Sequence, residues 1–240
     1  MLSKSAIFLS VSLLLASSSA HATDRMDDNV IVPGKRVGFI TKNTSEEELK
    51  RLLPAGSVHR ILHDNGDGSY SCATEIYPAS KKSAIIIWKS DSAIYTANNR
   101  QEDQKRCDNA PSRNNPESIE IFQYRGDRET LEMKEASVWH TKEGVHVGMN
   151  LAELEAVNRA AVDVDVSESC FAGGINSWNG GILEKHQGEL GSMIMDYPDV
   201  EKFKNNEKFR NSGSINSSLL PLEVKKQISI RSLTIDFPAD

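Results

Sequence analysis

The sequence predicts an α+β fold made of two similar helix-plus-antiparallel-sheet units in tandem. Two segments 105 residues apart share one pattern: a short β-type run, an N-cap residue, then apolar residues at helical spacing. Each segment is followed by short β-branched and aromatic runs separated by turn residues. The first 22 residues read as a targeting segment, so fold reasoning starts at Thr23.

The targeting segment has three parts. Lys4 supplies a positive start, Ala6 to Ala16 is an uncharged apolar run, and Ser17 to Ala22 ends in the small-residue pattern Ala20-His21-Ala22. That is the layout of a secretory signal peptide cleaved near Ala22. A membrane-spanning helix needs about 20 apolar residues, and this core is shorter. The sequence therefore predicts a periplasmic or secreted protein with no membrane anchor. The chain left after cleavage carries 27 basic and 34 acidic residues. That balance argues against nucleic acid and anionic lipid as partners.

The first repeat segment runs from Lys35 to Leu52 and the second from Gly144 to Val157. Ser45 aligns with Asn150, Glu48 with Glu153, Leu49 with Leu154 and Leu52 with Val157. Ser45 with Glu48, and Asn150 with Glu153, have capping-box spacing. Pro54 stops the first helix. Strands are expected at 58–62, 73–77, 83–89 and 118–124 in the first half. In the second half they are expected at 162–166, 174–178, 182–185 and 227–237. A polar helix is expected at Asp199 to Phe209. The units divide near Gly126, giving 1–22 as signal peptide, 23–125 as the first unit and 126–240 as the second.

Three cysteines, Cys72, Cys107 and Cys170, are expected to meet an oxidising compartment. Cys72 and Cys107 share the first half and are expected to pair, which leaves one thiol over.

Trp139, Gly144, Gly148-Met149, the run Leu151 to Asn158, and Ser177-Trp178-Asn179-Gly180-Gly181 together resemble a group of uncharacterised exported bacterial proteins. Pro33 to Leu53 fits the same group. The resemblance implies an envelope protein and brings no activity with it. The order of strand, capped helix and sheet is also loosely similar to the BamE and β-lactamase-inhibitor-protein type of module. That likeness implies protein binding without catalysis.

Several residues invite chemistry. Cys170 precedes Phe171-Ala172-Gly173-Gly174, where glycine backbone amides would suit an oxyanion hole. A cysteine nucleophile needs a positioned base, and His140, His146 and His186 are candidates with no signature to choose among them. A three-residue hairpin loop, Lys142 to Gly144, places His140 opposite His146 on one face and Trp139, Val145 and Val147 on the core face. Two histidines fall short of the three or four protein ligands that zinc sites use. His59 and His63 lie on one side of a strand, about 13 Å apart. Asp64 to Ser69 lacks calcium ligands at the required positions and reads as a turn. Trp178, beside the type I′ signal Asn179-Gly180, reads as a packing residue or as part of a binding surface.

The best-supported role is a non-catalytic envelope binding protein with a protein partner, acting as inhibitor, immunity factor or assembly accessory. No cofactor is expected. The alternatives are an envelope hydrolase using Cys170 and a periplasmic metal-binding protein using His140 and His146.

Overall fold

Local hydrogen bonding starts the helices where the sequence places their caps. The computed structural model describes residues 28–65, 68–89, 95–96, 99–122, 124–125, 133–165, 173–196 and 213–238. The signal segment, Cys170 and the helix expected at 199–209 lie outside the described residues. Helix α1 spans Glu46–Leu52, and the Ser45 side chain accepts the Glu48 amide proton. Helix α2 spans Arg100–Asn109 behind an Asn99 cap. Helix α3, Leu151–Asn158, has the complete box: Asn150 accepts from the Glu153 amide, and the Glu153 carboxylate accepts from the Asn150 amide. Helix α4 is a single turn, Leu222–Lys225.

The strands in chain order are β1 (Val30–Val32), β2 (Arg36–Val37), β3 (Ile40–Thr41), β4 (Val58–Asp64), β5 (Ser69–Ile76), β6 (Ala84–Trp88), β7 (Tyr95–Thr96) and β8 (Pro116–Phe122). They continue as β9 (Tyr124–Arg125), β10 (Met133–Glu135), β11 (His140–Thr141), β12 (Asp163–Asp165), β13 (Ile175–Ser177), β14 (Leu190–Asp196), β15 (Ser214–Asn216) and β16 (Ser229–Asp236). A seven-stranded antiparallel sheet has the order β14-β16-β8-β6-β5-β4, with β7 also on β5. A second sheet runs β11-β1-β2-β3, and β1 pairs with β11 in parallel. A third runs β13-β12-β15, and β9 pairs with β10.

The third sheet is stitched to the long one. Gly174 bridges Ile194, and the Met195 amide donates to the Gly173 carbonyl at 2.9 Å. Gly173 has φ +95°, and a Cβ there would meet the Met195 carbonyl oxygen at 2.5 Å. Only glycine lets the two backbones approach this closely.

The expected division near Gly126 does not separate two sheets. β8 and β16 are adjacent strands, paired from Ser232 with Phe122 to Asp236 with Ser118. β1 pairs with β11 across the same division. One core cluster contains residues of both halves, among them Leu49, Ile86 and Ile119 from the first and Leu154, Trp178 and Ile235 from the second. The two capped helices nonetheless enter that core alike. The Glu46 amide donates to Arg113 and the Leu151 amide to Ile228, each at 2.9 Å. The caps Ser45 and Asn150 bridge the adjoining residues Asn114 and Ser229, just before or at the start of β8 and β16.

Two further expectations are corrected. Residues 182–185 form a turn running into a 3-10 helix at Glu184–His186, and no strand. The Ile182 amide donates to the Asn158 carbonyl and the Leu183 amide to Asn158 Oδ1, so neither is free for a ladder. The β-type runs expected to open the two repeat segments, Val37 to Thr41 and Val145 to Met149, are likewise not continuous strands: a turn at Gly38-Phe39 separates β2 from β3, and in the second run only His146 makes a bridge.

Candidate binding face

The long sheet has two unlike sides. Side chains alternate across a strand, and the register fixes which residues share a side. Thr74 faces Ile86, Ile86 faces Ile119, and Ile119 faces Ile235, all on the core side beneath α1 and α3. The opposite side carries His59, Ile61 and His63 of β4, Ser71, Ala73 and Glu75 of β5, and Ile85 and Ile87 of β6. It continues with Ser118, Glu120 and Phe122 of β8, Ser232, Thr234 and Asp236 of β16, and Ile194 of β14. None of Ile61, Ile85, Ile87, Phe122 or Ile194 belongs to the core cluster or packs against it. Of its residues Ala73, Ser118 and Ser232 are buried, His59 and Phe122 are exposed and the rest are half-buried, and Ile61 lines a groove with Arg100, Gln101, Gln104 and Lys105 of α2.

The side is concave. His63 Nε2 lies 3.3 Å from Glu120 Oε2, although β5 and β6 stand between β4 and β8. In a flat sheet those strands are about 14 Å apart before any offset along them. The two side chains meet only if the sheet curls toward them.

Its electrostatics are unbalanced. Asp236 pairs with Ser118 in the ladder, next to Thr234 and Glu120. Burial, followed by the neighbouring charges of Glu117 and Glu120, pushes the Asp236 carboxyl above the usual carboxylate range. The opposite side shows what a compensated carboxylate looks like. Glu46 is fully buried, and burial alone would raise its pKa. Arg60 reverses that with hydrogen bonds of 2.7 Å to each oxygen, assisted by Lys50, and holds Glu46 below the usual range. The same guanidinium donates to the carbonyls of Cys107, Asp108 and Ala110, capping the end of α2.

α2 seals the outer edge of the sheet. Gln104 Oε1 accepts the Leu62 amide proton and Gln104 Nε2 donates to the Arg60 carbonyl, so one side chain replaces a neighbouring strand. The Cys72–Cys107 disulfide, with Cα atoms 5.5 Å apart, ties the helix to β5 as the sequence reading expects.

The other candidate residues fall elsewhere. The hairpin has the expected register: His140 bridges His146, the Thr141 amide donates to Val145, and Gly144 has φ +93°. Trp139, Val145 and Val147 are buried. His140 Nδ1 lies 3.0 Å from the Val138 carbonyl and His146 Nδ1 2.8 Å from the Gly144 carbonyl. Carbonyls only accept, so both Nδ1 atoms carry the proton. The strands run oppositely, so the two rings lean opposite ways along the hairpin. Among the described residues no group of three or more His, Cys, Asp or Glu is placed to hold a metal ion. His59 and His63 lie on one side of β4 with Ile61 between them, as expected of a strand. His186 sits between Glu143 at 3.3 Å and Glu189 at 3.1 Å.

Trp178 is 5% exposed and belongs to the core. Its ring is a packing residue and offers no exposed anchor. Asn179 (φ +50°) and Gly180 (φ +75°) form the expected tight turn beside it. Asn158 explains why this turn and helix α3 carry one motif. Its fully buried amide donates to the carbonyls of Trp178 and Ala160 and accepts from Leu183. Gly181 rests directly on that amide, where a Cβ would collide with it.

The sequence reading missed the concave face. Its signal was present: Ser118, Glu120 and Phe122 alternate with Ile119 and Ile121, which marks one side of β8 as uncommitted to the core. No helix among the described residues is long and apolar enough to cross a membrane. Comparison with family models, curated proteins and solved structures gives no match.

Proposed function

We propose that this chain is an exported, non-catalytic binding protein that recognises another protein through the concave side of its long sheet. The carrying observation is that face: isoleucines at 61, 85 and 87, half-buried and outside the core cluster, lie among the half-buried carboxylates Glu75, Glu120 and Asp236. Aliphatic area of this kind ordinarily lies against something. Export to the periplasm or beyond is supported by the N-terminal pattern and by the Cys72–Cys107 bond, which suits an oxidising compartment. An inhibitor, immunity or assembly role fits the same geometry, because each uses a fixed surface and no reacting group.

We also read the chain as two copies of one unit, helix then antiparallel sheet, joined back to back at β8 and β16. The matched entry of α1 and α3 supports this: each first-turn amide bonds a carbonyl one to three residues ahead of a central strand. Glu46 and Leu151 are 105 residues apart and Arg113 and Ile228 are 115 apart, so the second unit carries ten more residues between its two bonded positions. Joining two units this way extends one curved surface across both.

The test is capture from envelope extract by the mature chain, with Ile87→Glu and, at an exposed position of α4, Glu223→Lys in parallel. One stoichiometric protein retained by the parent and Glu223→Lys, and lost by Ile87→Glu, supports the reading. Equal retention by all three, or none by folded parent protein, overturns it.

A further inference from the structure

We propose that α2 is a disulfide-held cover on a strand-accepting edge, and that opening the Cys72–Cys107 bond releases it and lets β4 pair with β4 of a second copy. β4 is the last strand in the order of the long sheet. Its outward backbone groups are occupied by one side chain: Gln104 takes the Leu62 amide proton and donates to the Arg60 carbonyl, at 3.1 and 3.0 Å. A helix standing where a strand would pair has to be held there, and α2 has little of its own to hold it. Of its ten residues Cys107 alone is apolar, and only Asp103 and Cys107 are buried. Two grooves, of about 480 and 460 Å³, run between the helix and β4 and share Gln104 in their lining. A helix this short is marginal in water without packing, so polar contacts and the covalent tie to β5 keep it in place. Its release is local. Arg60 gives up the carbonyls of Cys107, Asp108 and Ala110 but keeps both Glu46 oxygens, so no buried charge is stranded. Before the helix, β7 stays on β5, and after it Asn114 stays bridged to Ser45.

The uncovered edge is self-complementary. Antiparallel pairing centred on Ile61 joins Arg60 to Leu62 of the other copy, twice over, through the backbone groups that face α2. Ile61 then meets Ile61, His59 meets His63 and Val58 meets Asp64, so Arg60 and Asp64 each face an uncharged side chain. An open edge of this kind is a template for another strand. A dithiol supplies the opening: the two cysteine sulfurs take up two electrons and two protons and become thiols, and the dithiol closes to a disulfide.

The experiment follows hydrogen exchange and sedimentation of the full mature chain before and after dithiothreitol, with thiol titration to establish that the bond has opened. Cys72→Ala/Cys107→Ala supplies the open state without reductant. The oxidised protein is expected to be a monomer with the Leu62 amide protected. In dilute open protein the α2 amides and Leu62 should exchange about a hundredfold faster, while Leu233 and Ile235 of β16 keep their rates. At about 100 µM the open protein should dimerise and Leu62 should become protected again. Ile61→Lys sets like charges opposite each other, and should cut the dimer about tenfold while leaving α2 released. Unchanged Leu62 protection in the open state overturns the cover. Exchange of β16 together with β4 also overturns it, since the chain then opens as one unit. An open chain that stays monomeric, or a dimer indifferent to Ile61→Lys, overturns the second copy as occupant of the edge.

Discussion

Glu46 and Asp236 sit on opposite sides of one sheet and titrate in opposite directions. Glu46 lies on the helix-covered side, clamped by Arg60, and is held below the usual carboxylate range. Asp236 lies on the concave side beside two other carboxylates and is pushed above it. On the covered side Glu46 is paired with Arg60, and the Trp88 and Trp139 N–H groups donate to Thr74 and Lys82. The concave side keeps an arrangement that costs the fold free energy.

The comparison can be broken most severely on the covered side. Arg60→Met strands the buried Glu46 carboxylate and uncaps α2, and is expected to cost about 3–5 kcal/mol in denaturant unfolding. A loss below about 1 kcal/mol would mean that the pair is ornamental. Opening the disulfide with Cys72→Ser frees a loop of 35 residues, with an expected loss of about 3–4 kcal/mol in the chain-entropy model. Gly181→Ala forces a methyl group onto the Asn158 amide, and a loss of about 1–3 kcal/mol is expected from overpacking.

Asp236→Asn sharpens the contrast in the other direction. A carboxyl whose folded pKa is raised gives up stability once pH exceeds its unfolded value near 3.8, and the penalty is complete above the folded value. Removing the charge is therefore expected to stabilise by about 0.5–1 kcal/mol at pH 7, with the gain vanishing at pH 3. Glu46 gives the reverse slope: its contribution is full above about pH 4.5 and is lost as pH falls through its lowered folded value. The smallest effect is at the periphery. Burial opposes ionisation of Glu143, but Lys185, its own backbone amide and His186 bring its pKa down to about 2. Its contribution disappears between about pH 4.5 and 2, and as a partly solvated pair it is worth no more than about 1 kcal/mol. Glu143→Gln should flatten the acid limb of a thermal-melt series by that amount.

What the sequence revealed follows the range of the interactions. α1, α3 and the 139–147 hairpin rest on bonds between residues a few positions apart, so their caps and turn could be read directly. α2 could not, because Arg100 to Asn109 has little apolar periodicity and is held by Gln104 on β4 and by a disulfide to β5. β14 escaped because register shifts interrupt its alternation. Residues 182–185 misled because Asn158, more than twenty positions earlier, takes their amides. The concave face was the least legible. Glu120 and Asp236 become neighbours only through a ladder between strands more than a hundred residues apart in sequence.

The most direct test is a paired measurement on Asp236→Asn at pH 7, its melting temperature and its retention of the captured partner. A higher melting temperature together with weaker retention is the predicted result, since the proposed binding reading has one carboxylate both burden the fold and line the binding face. A lower melting temperature, or full retention of the partner, would contradict the account.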